Sequence, residues 1–123
     1  MAPVTTIYST AVANLERWSH YDWSNGLQIE GLDPLETLEV QTKNTTYEII
    51  LMDVRRGEIL VRGGRFFPVY TRARLSGASL AGSFLKVGGI YIGFCMEFHT
   101  DDGAIVTTCV RQIAVFRNSS APS

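Results

Sequence analysis

The stretch Arg62-Gly63-Gly64-Arg65-Phe66-Phe67-Pro68 carries the most distinctive chemistry in this chain. Two guanidinium groups flank a glycine pair that lets the backbone bend, and two aromatic rings follow. On a surface, that combination grips phosphates and stacks bases, as single-strand-binding barrels do. Buried, Phe66 or Phe67 plugs the end of a barrel and the arginines are simply solvated. Arg55 and Arg56 sit a few residues upstream in a turn. The candidate contacts for an anionic ligand or nucleic acid are therefore Arg55, Arg56, Arg62 and Arg65, with Phe66 and Phe67 beside them.

Other potential chemistry is weaker. Cys95, Glu97 and His99 alternate along one strand face, with Cys109 on the strand that follows. Residues two apart on such a face are about 6.5–7 Å apart, which puts Cys95 too far from His99 for one compact tetrahedral site. No C-x-x-C pair supplies zinc spacing either. Neither a metal nor a cofactor is expected. A nucleophilic site needs a base within hydrogen-bond reach of the nucleophile. His20 and His99 are the only histidines, and no local signature joins either one to a cysteine, so an enzyme is not expected. Gly77-x-x-x-x-Gly82-Ser83 has P-loop glycine spacing, but Ser83 stands where the phosphate-binding lysine must be. Asn44-Thr45-Thr46 and Asn118-Ser119-Ser120 match the glycosylation acceptor pattern and, with no secretion signal, are read as chance matches.

The elements that would hold these residues are mostly strands. Ile7, Ala11, Val12, Leu15 and Trp18 recur at helical spacing behind a Thr5 or Thr6 cap, which predicts a helix within residues 5–18. From Thr37 onward the period becomes two. Leu38, Val40 and Thr42 alternate with Glu39, Gln41 and Lys43; a more apolar strand covers Tyr47 to Val54, and another covers Ile59 to Arg62. Weaker strands are expected near Thr71 to Leu75 and Ser83 to Lys86. The final hairpin is the best specified. Ile90, Ile92, Phe94, Met96 and Phe98 form one face, and an Asp101-Asp102-Gly103 loop predicts that Phe98 pairs with Val106 and Cys95 with Cys109.

These strands predict a mainly β fold: a small closed or nearly closed antiparallel β-barrel of about six strands with an N-terminal helix. Nine of the eleven glycines lie between Gly57 and Gly103, where corners and bulges would need them. The expected organisation is a helical or irregular segment over 1–34, the barrel over 35–117 and a frayed tail over 118–123.

Length and composition agree with one domain. The 123 residues are 46% apolar and 19% charged, ordinary values for a globular chain. No apolar run approaches a membrane span, and no secretion signal is visible, which makes a cytoplasmic location the expectation. The net charge of −1 hides an asymmetry: residues 1–53 carry eight acids and two bases, and residues 54–123 nine bases and four acids. Acidic and basic halves can pack on one another, within a subunit or between subunits, or the basic half can present a surface to an anion.

Two resemblances follow from the middle of the chain. Val61-Arg62-Gly63-Gly64-Arg65-Phe66-Phe67-Pro68, with Thr71-x-Ala73-x-Leu75-x-Gly77-Ala78-Ser79-Leu80-x-Gly82-Ser83-x-Leu85-Lys86-x-Gly88, resembles a family of short uncharacterised bacterial β proteins over about residues 37–116. That resemblance implies no activity. Gly77-x-Ser79-x-x-Gly82 resembles the second motif of PilZ domains, six-stranded barrels that bind cyclic di-GMP, which implies Ser79 as a ligand contact. Gly77 replaces the Asp or Asn of that motif, and the arginines lack the R-x-x-x-R spacing of the first. The reading is a non-enzymatic β-barrel binding module for an anionic partner. The alternatives are a homo-oligomeric structural protein and a PilZ-like cyclic di-GMP binder.

Overall fold

Alternation sets the inward faces of the strands. In Thr37-Leu38-Glu39-Val40-Gln41-Thr42, the side chains of Leu38, Val40 and Thr42 are buried and those of Glu39 and Gln41 are exposed. The computed structural model describes residues 4–8, 23–80 and 84–117. Ten strands occur there: β1 (Val4–Tyr8), β2 (Gly26–Gln28), β3 (Thr37–Thr42), β4 (Thr46–Asp53), β5 (Glu58–Gly63), β6 (Phe67–Ser79), β7 (Leu85–Val87), β8 (Gly89–Tyr91), β9 (Cys95–Thr100) and β10 (Gly103–Arg117). A 3-10 turn, Ile29–Gly31, is the sole helical element among the described residues.

Six of these strands make a ring-like sheet. β3, β4, β5 and β6 pair in sequence, β6 pairs with β9, β9 with β10, and β10 returns to β3, every pair antiparallel. β6 and β10 are long because each serves two neighbours in turn. Residues up to Arg74 of β6 lie against β5, and those from Arg74 on lie against β9. β10 pairs with β9 as far as Cys109 and with β3 from Val110. Inside the ring sit Leu38, Val40, Ile49, Leu51, Ile59, Val61, Met96, Val110, Ile113 and Val115. An aromatic trio joins them: Phe67 meets Phe98 edge-on at 5.6 Å between centroids, and Tyr47 lies 6.4 and 6.2 Å from the two.

The remaining short strands attach to this frame. β7 lies against the end of β6 so closely that a Cβ on Gly77 would fall 2.1 Å from the Lys86 carbonyl oxygen. β2 pairs with β8, and a second apolar cluster of Ala78, Leu80, Tyr91 and Phe94 packs with Trp23. Trp23 stacks on Phe94 at 5.5 Å, and the Lys86 ammonium lies 4.8 Å from the Trp23 ring centroid.

Two expectations require correction. Residues 5–8 of the expected helix lie in β1, which adds to β10 with Ile7 opposite Ala114. Val4-Thr5-Thr6-Ile7-Tyr8 is a run of β-branched and aromatic residues, and the open edge of β10 satisfies its backbone. The rest of that helix lies outside the described residues.

The hairpin register also differs near its turn. Gly103 pairs with Thr100, leaving a two-residue turn of Asp101-Asp102, so Phe98 faces Ile105 and Val106 is 44% exposed. An extra residue in β10 between Val106 and Cys109 then restores the expected pairing of Cys109 with Cys95. The Thr107 hydroxyl occupies the gap, accepting the Met96 N–H at 3.0 Å and donating to the Thr108 carbonyl at 2.7 Å.

Directly paired residues on antiparallel strands have Cα atoms about 4.5–5.5 Å apart, within the range a disulfide spans. No disulfide joins Cys95 and Cys109. Oxidised glutathione is therefore expected to link them within one chain, with loss of two hydrogens by intact-mass spectrometry. Mixed disulfides on both thiols without a bridge would contradict the register. Phe98→Ala, which removes the ring at the centre of the aromatic trio, is expected to cost about 3–5 kcal/mol in urea unfolding.

Candidate functional site

Successive turns of an antiparallel ring alternate between its two ends, and this divides the arginine set. The β4–β5 turn carries Arg55 and Arg56, and the β5–β6 turn carries Arg65. The length of β5, six residues or about 20 Å, separates them. Arg56 is occupied locally: its N–H donates to Asp53 Oδ1 at 3.3 Å, and its Nε lies 3.7 Å from Oδ2.

Arg62 is also engaged. Its Nε and Nη2 both donate to Glu48 Oε1 across β4 and β5, and its guanidinium lies 4.4 Å from the Tyr70 ring centroid. Tyr70 in turn donates to Glu48 Oε2 at 3.4 Å. Hydrogen bonding to Glu48 holds the Arg62 pKa above its ordinary value. Glu48, Arg62 and Tyr70 form a closed outer-face set, so Arg62 would have to leave its carboxylate to meet a ligand.

The two neighbouring phenylalanines go opposite ways. Phe67 begins β6 and is 1% exposed in the core, whereas Phe66 in the turn before it is 52% exposed. Ser79 is elsewhere, paired with Cys95 and 1% exposed, with a hydroxyl that finds no hydrogen-bond partner among the described residues. His99 lies at the far end of β9 from Cys95, four residues or about 13 Å along the strand. No group of three or more His, Cys, Asp or Glu among the described residues is placed to hold a metal ion.

What remains is a pocket at the mouth of the ring. Asn44 and Thr45 of the β3–β4 turn, Arg65 and Phe66 of the β5–β6 turn, and Val106, Thr107 and Thr108 of β10 line a space of about 390 Å³ over Tyr47. Burial pushes the Tyr47 phenol above its ordinary pKa, with a hydrogen bond from Thr45 acting the other way. Tyr47 is thus a neutral floor to the pocket. Arg65 makes no ion pair among the described residues, and no carboxylate lines the space. A cation, an exposed ring, an amide and hydroxyls converge there, and such a set suits an anion attached to a flat group.

No protein-family model, curated protein or solved structure matches this chain. The geometry of the mouth therefore carries the argument about ligands by itself.

A larger groove of about 680 Å³ runs over the outside of β5, β6 and β9, and it was not anticipated. Arg72 and Arg74 of β6 line it with His99, Leu60 and Met52. The alternation Thr71-Arg72-Ala73-Arg74-Leu75 was the available signal, since it sends both arginines to one face. Glu58, directly opposite Arg74, and Asp101 also line the groove and offset those charges.

The placements of Phe66 and Phe67 predict a contrast in stability. Phe66→Ala is expected to fall within about 0.5 kcal/mol of wild type, and Phe67→Ala to lose about 3–5 kcal/mol, both by urea unfolding. Ser79→Ala removes an unsatisfied buried hydroxyl and is expected to be neutral or stabilising. A large loss there would mean that the hydroxyl has a partner after all.

Proposed function

We propose that the protein is a non-enzymatic binding module, a small β-barrel whose mouth takes an anionic partner, either a nucleotide or a nucleic acid. The observation that carries this reading is the shared pocket of Arg65 and Phe66: a cation with no ion pair among the described residues beside a half-exposed ring. Exposing a phenylalanine to water is unfavourable by roughly 1.5–3 kcal/mol relative to burying it. Stacking against a base would recover part of that. Asn44, Thr45 and Thr108 add donors and acceptors at the pocket's sides.

A homo-oligomeric structural role is the second reading. β7 ends the chain of paired strands and exposes Leu85 at 43% and Val87 at 73%, an apolar edge that a second copy could cover. The PilZ-like reading has less behind it, since Ser79 is buried and the arginines are dispersed.

Fluorescence anisotropy with labelled single-stranded DNA, single-stranded RNA and cyclic di-GMP separates these readings. Phe66→Ala is expected to weaken single-strand binding by about 1–3 kcal/mol. Arg65→Ala is expected to weaken it across sequences and to flatten the salt slope by about 0.7. Absence of binding to every probe at low salt, with a salt-insensitive oligomer in native mass spectrometry, would favour the structural role.

A further inference from the structure

The second half of β10 holds a pocket that the mouth does not include. β10 carries one extra residue against β9, between Val106 and Cys109, and another against β3, between Val110 and Gln112. Such bulges turn side chains off the regular pleat and open the sheet locally. The first leaves Thr107 and Thr108 at the mouth. The second makes Arg111 the unpaired residue, and Arg111 with Gln112, Gln41, Thr42 and Lys43 lines a pocket of about 240 Å³.

Lys43 connects the two spaces. Its N–H donates to the Cys109 carbonyl at 3.0 Å, pinning the β3–β4 turn onto β10 between the two bulges. Asn44 and Thr45, the next residues, belong to the mouth. One turn therefore has a pocket on either side of it. Lys43, Arg65 and Arg111 form no ion pair among the described residues, and no carboxylate lines either pocket. The larger outer groove lacks this property, because Glu58 and Asp101 stand among its cations.

We infer that the ligand is an extended single-stranded nucleic acid, which enters the mouth at Phe66 and Arg65 and continues across the β3–β4 turn to Lys43 and Arg111. The inference rests on the reading of the mouth as an anion site and specifies its ligand. Thr108 and Gln112, which line the two pockets, are four residues apart, about 10 Å along β10 once the extra residue at Arg111 is allowed for. A single phosphate cannot reach both, whereas a chain with charge at every residue can. The amides of Gln41 and Gln112 offer donors and acceptors beside the cations, and Phe66 offers a face on which only an unpaired base can stack.

The test uses the whole chain and labelled oligo(dT) of about four and about twelve residues, which bracket a short single-strand site. Wild type is expected to bind the longer probe more tightly. Lys43→Ala with Arg111→Ala is expected to weaken the longer probe about ten-fold and to reduce its salt slope by about 1.4. The same variant should leave the shorter probe within about two-fold, since that probe fills the mouth alone. Arg72→Ala with Arg74→Ala, in the outer groove, is expected to change neither. All four positions are exposed, so a matched melting temperature is the folding control. If wild type binds both probes and the Lys43/Arg111 variant binds the longer one as wild type does, the path stops at the mouth and the inference fails. If wild type binds neither, the mouth reading fails and takes this inference with it.

Discussion

Closure of the six-stranded ring depends on two strands that change partners part-way along. β6 leaves β5 near Arg74 and passes to β9, and β10 leaves β9 at Cys109 and passes to β3. A local change of register accompanies each changeover: between Leu75 and Gly77 in β6, and on either side of Cys109 in β10. These bulges supply the bend that brings the last ring strand back to the first, so that none of the six is left as an edge.

The same irregularities determine where the surface can open. Two pockets lie at the two bulges of β10, and the one at the mouth has a well-packed floor. Tyr47, Phe67 and Phe98 fill the space beneath the mouth with rings in mutual contact, each pair worth about 0.5–1.5 kcal/mol beyond burial. A floor of this kind fixes the turn residues above it, because Phe67 cannot move without disturbing the core and Phe66 follows it. Rigid placement lowers the entropy that a ligand would otherwise have to offset.

Charge follows a related division. Several cations are committed within the protein: Arg62 to Glu48 and Tyr70, Arg56 to Asp53, and Arg117 to Glu36, whose other carboxylate oxygen accepts the Asp33 N–H. Lys43 and Arg65, in the β3–β4 and β5–β6 turns, and Arg111 form no ion pair among the described residues. The even overall balance of the chain thus conceals a local surplus at the mouth, where electrostatic attraction for an anion is least offset.

Much of the frame was legible in the residues themselves. The period-two runs over Leu38 to Lys43 and Tyr47 to Val54 follow from side-chain alternation, a local property that any strand with one buried face must obey; the pairing of Cys95 with Cys109 does not, because the two-residue turn shifts the hairpin by one and the extra residue in β10 shifts it back. The candidate arginines were legible as a set but not as a place, because turns at opposite ends of a ring are adjacent in sequence and far apart in space. Nothing local distinguishes Phe66 from Phe67 either; a one-residue change of facing at the start of β6 decides which ring is core. The strand at residues 4–8 was masked by a helical recurrence, and its partner edge lies more than a hundred residues away. Bulges escaped for the same reason. Thr107 and Arg111 look like ordinary strand residues in the sequence; only the registers of β10 against β9 and β3, which the tertiary structure sets, leave one extra residue at each place.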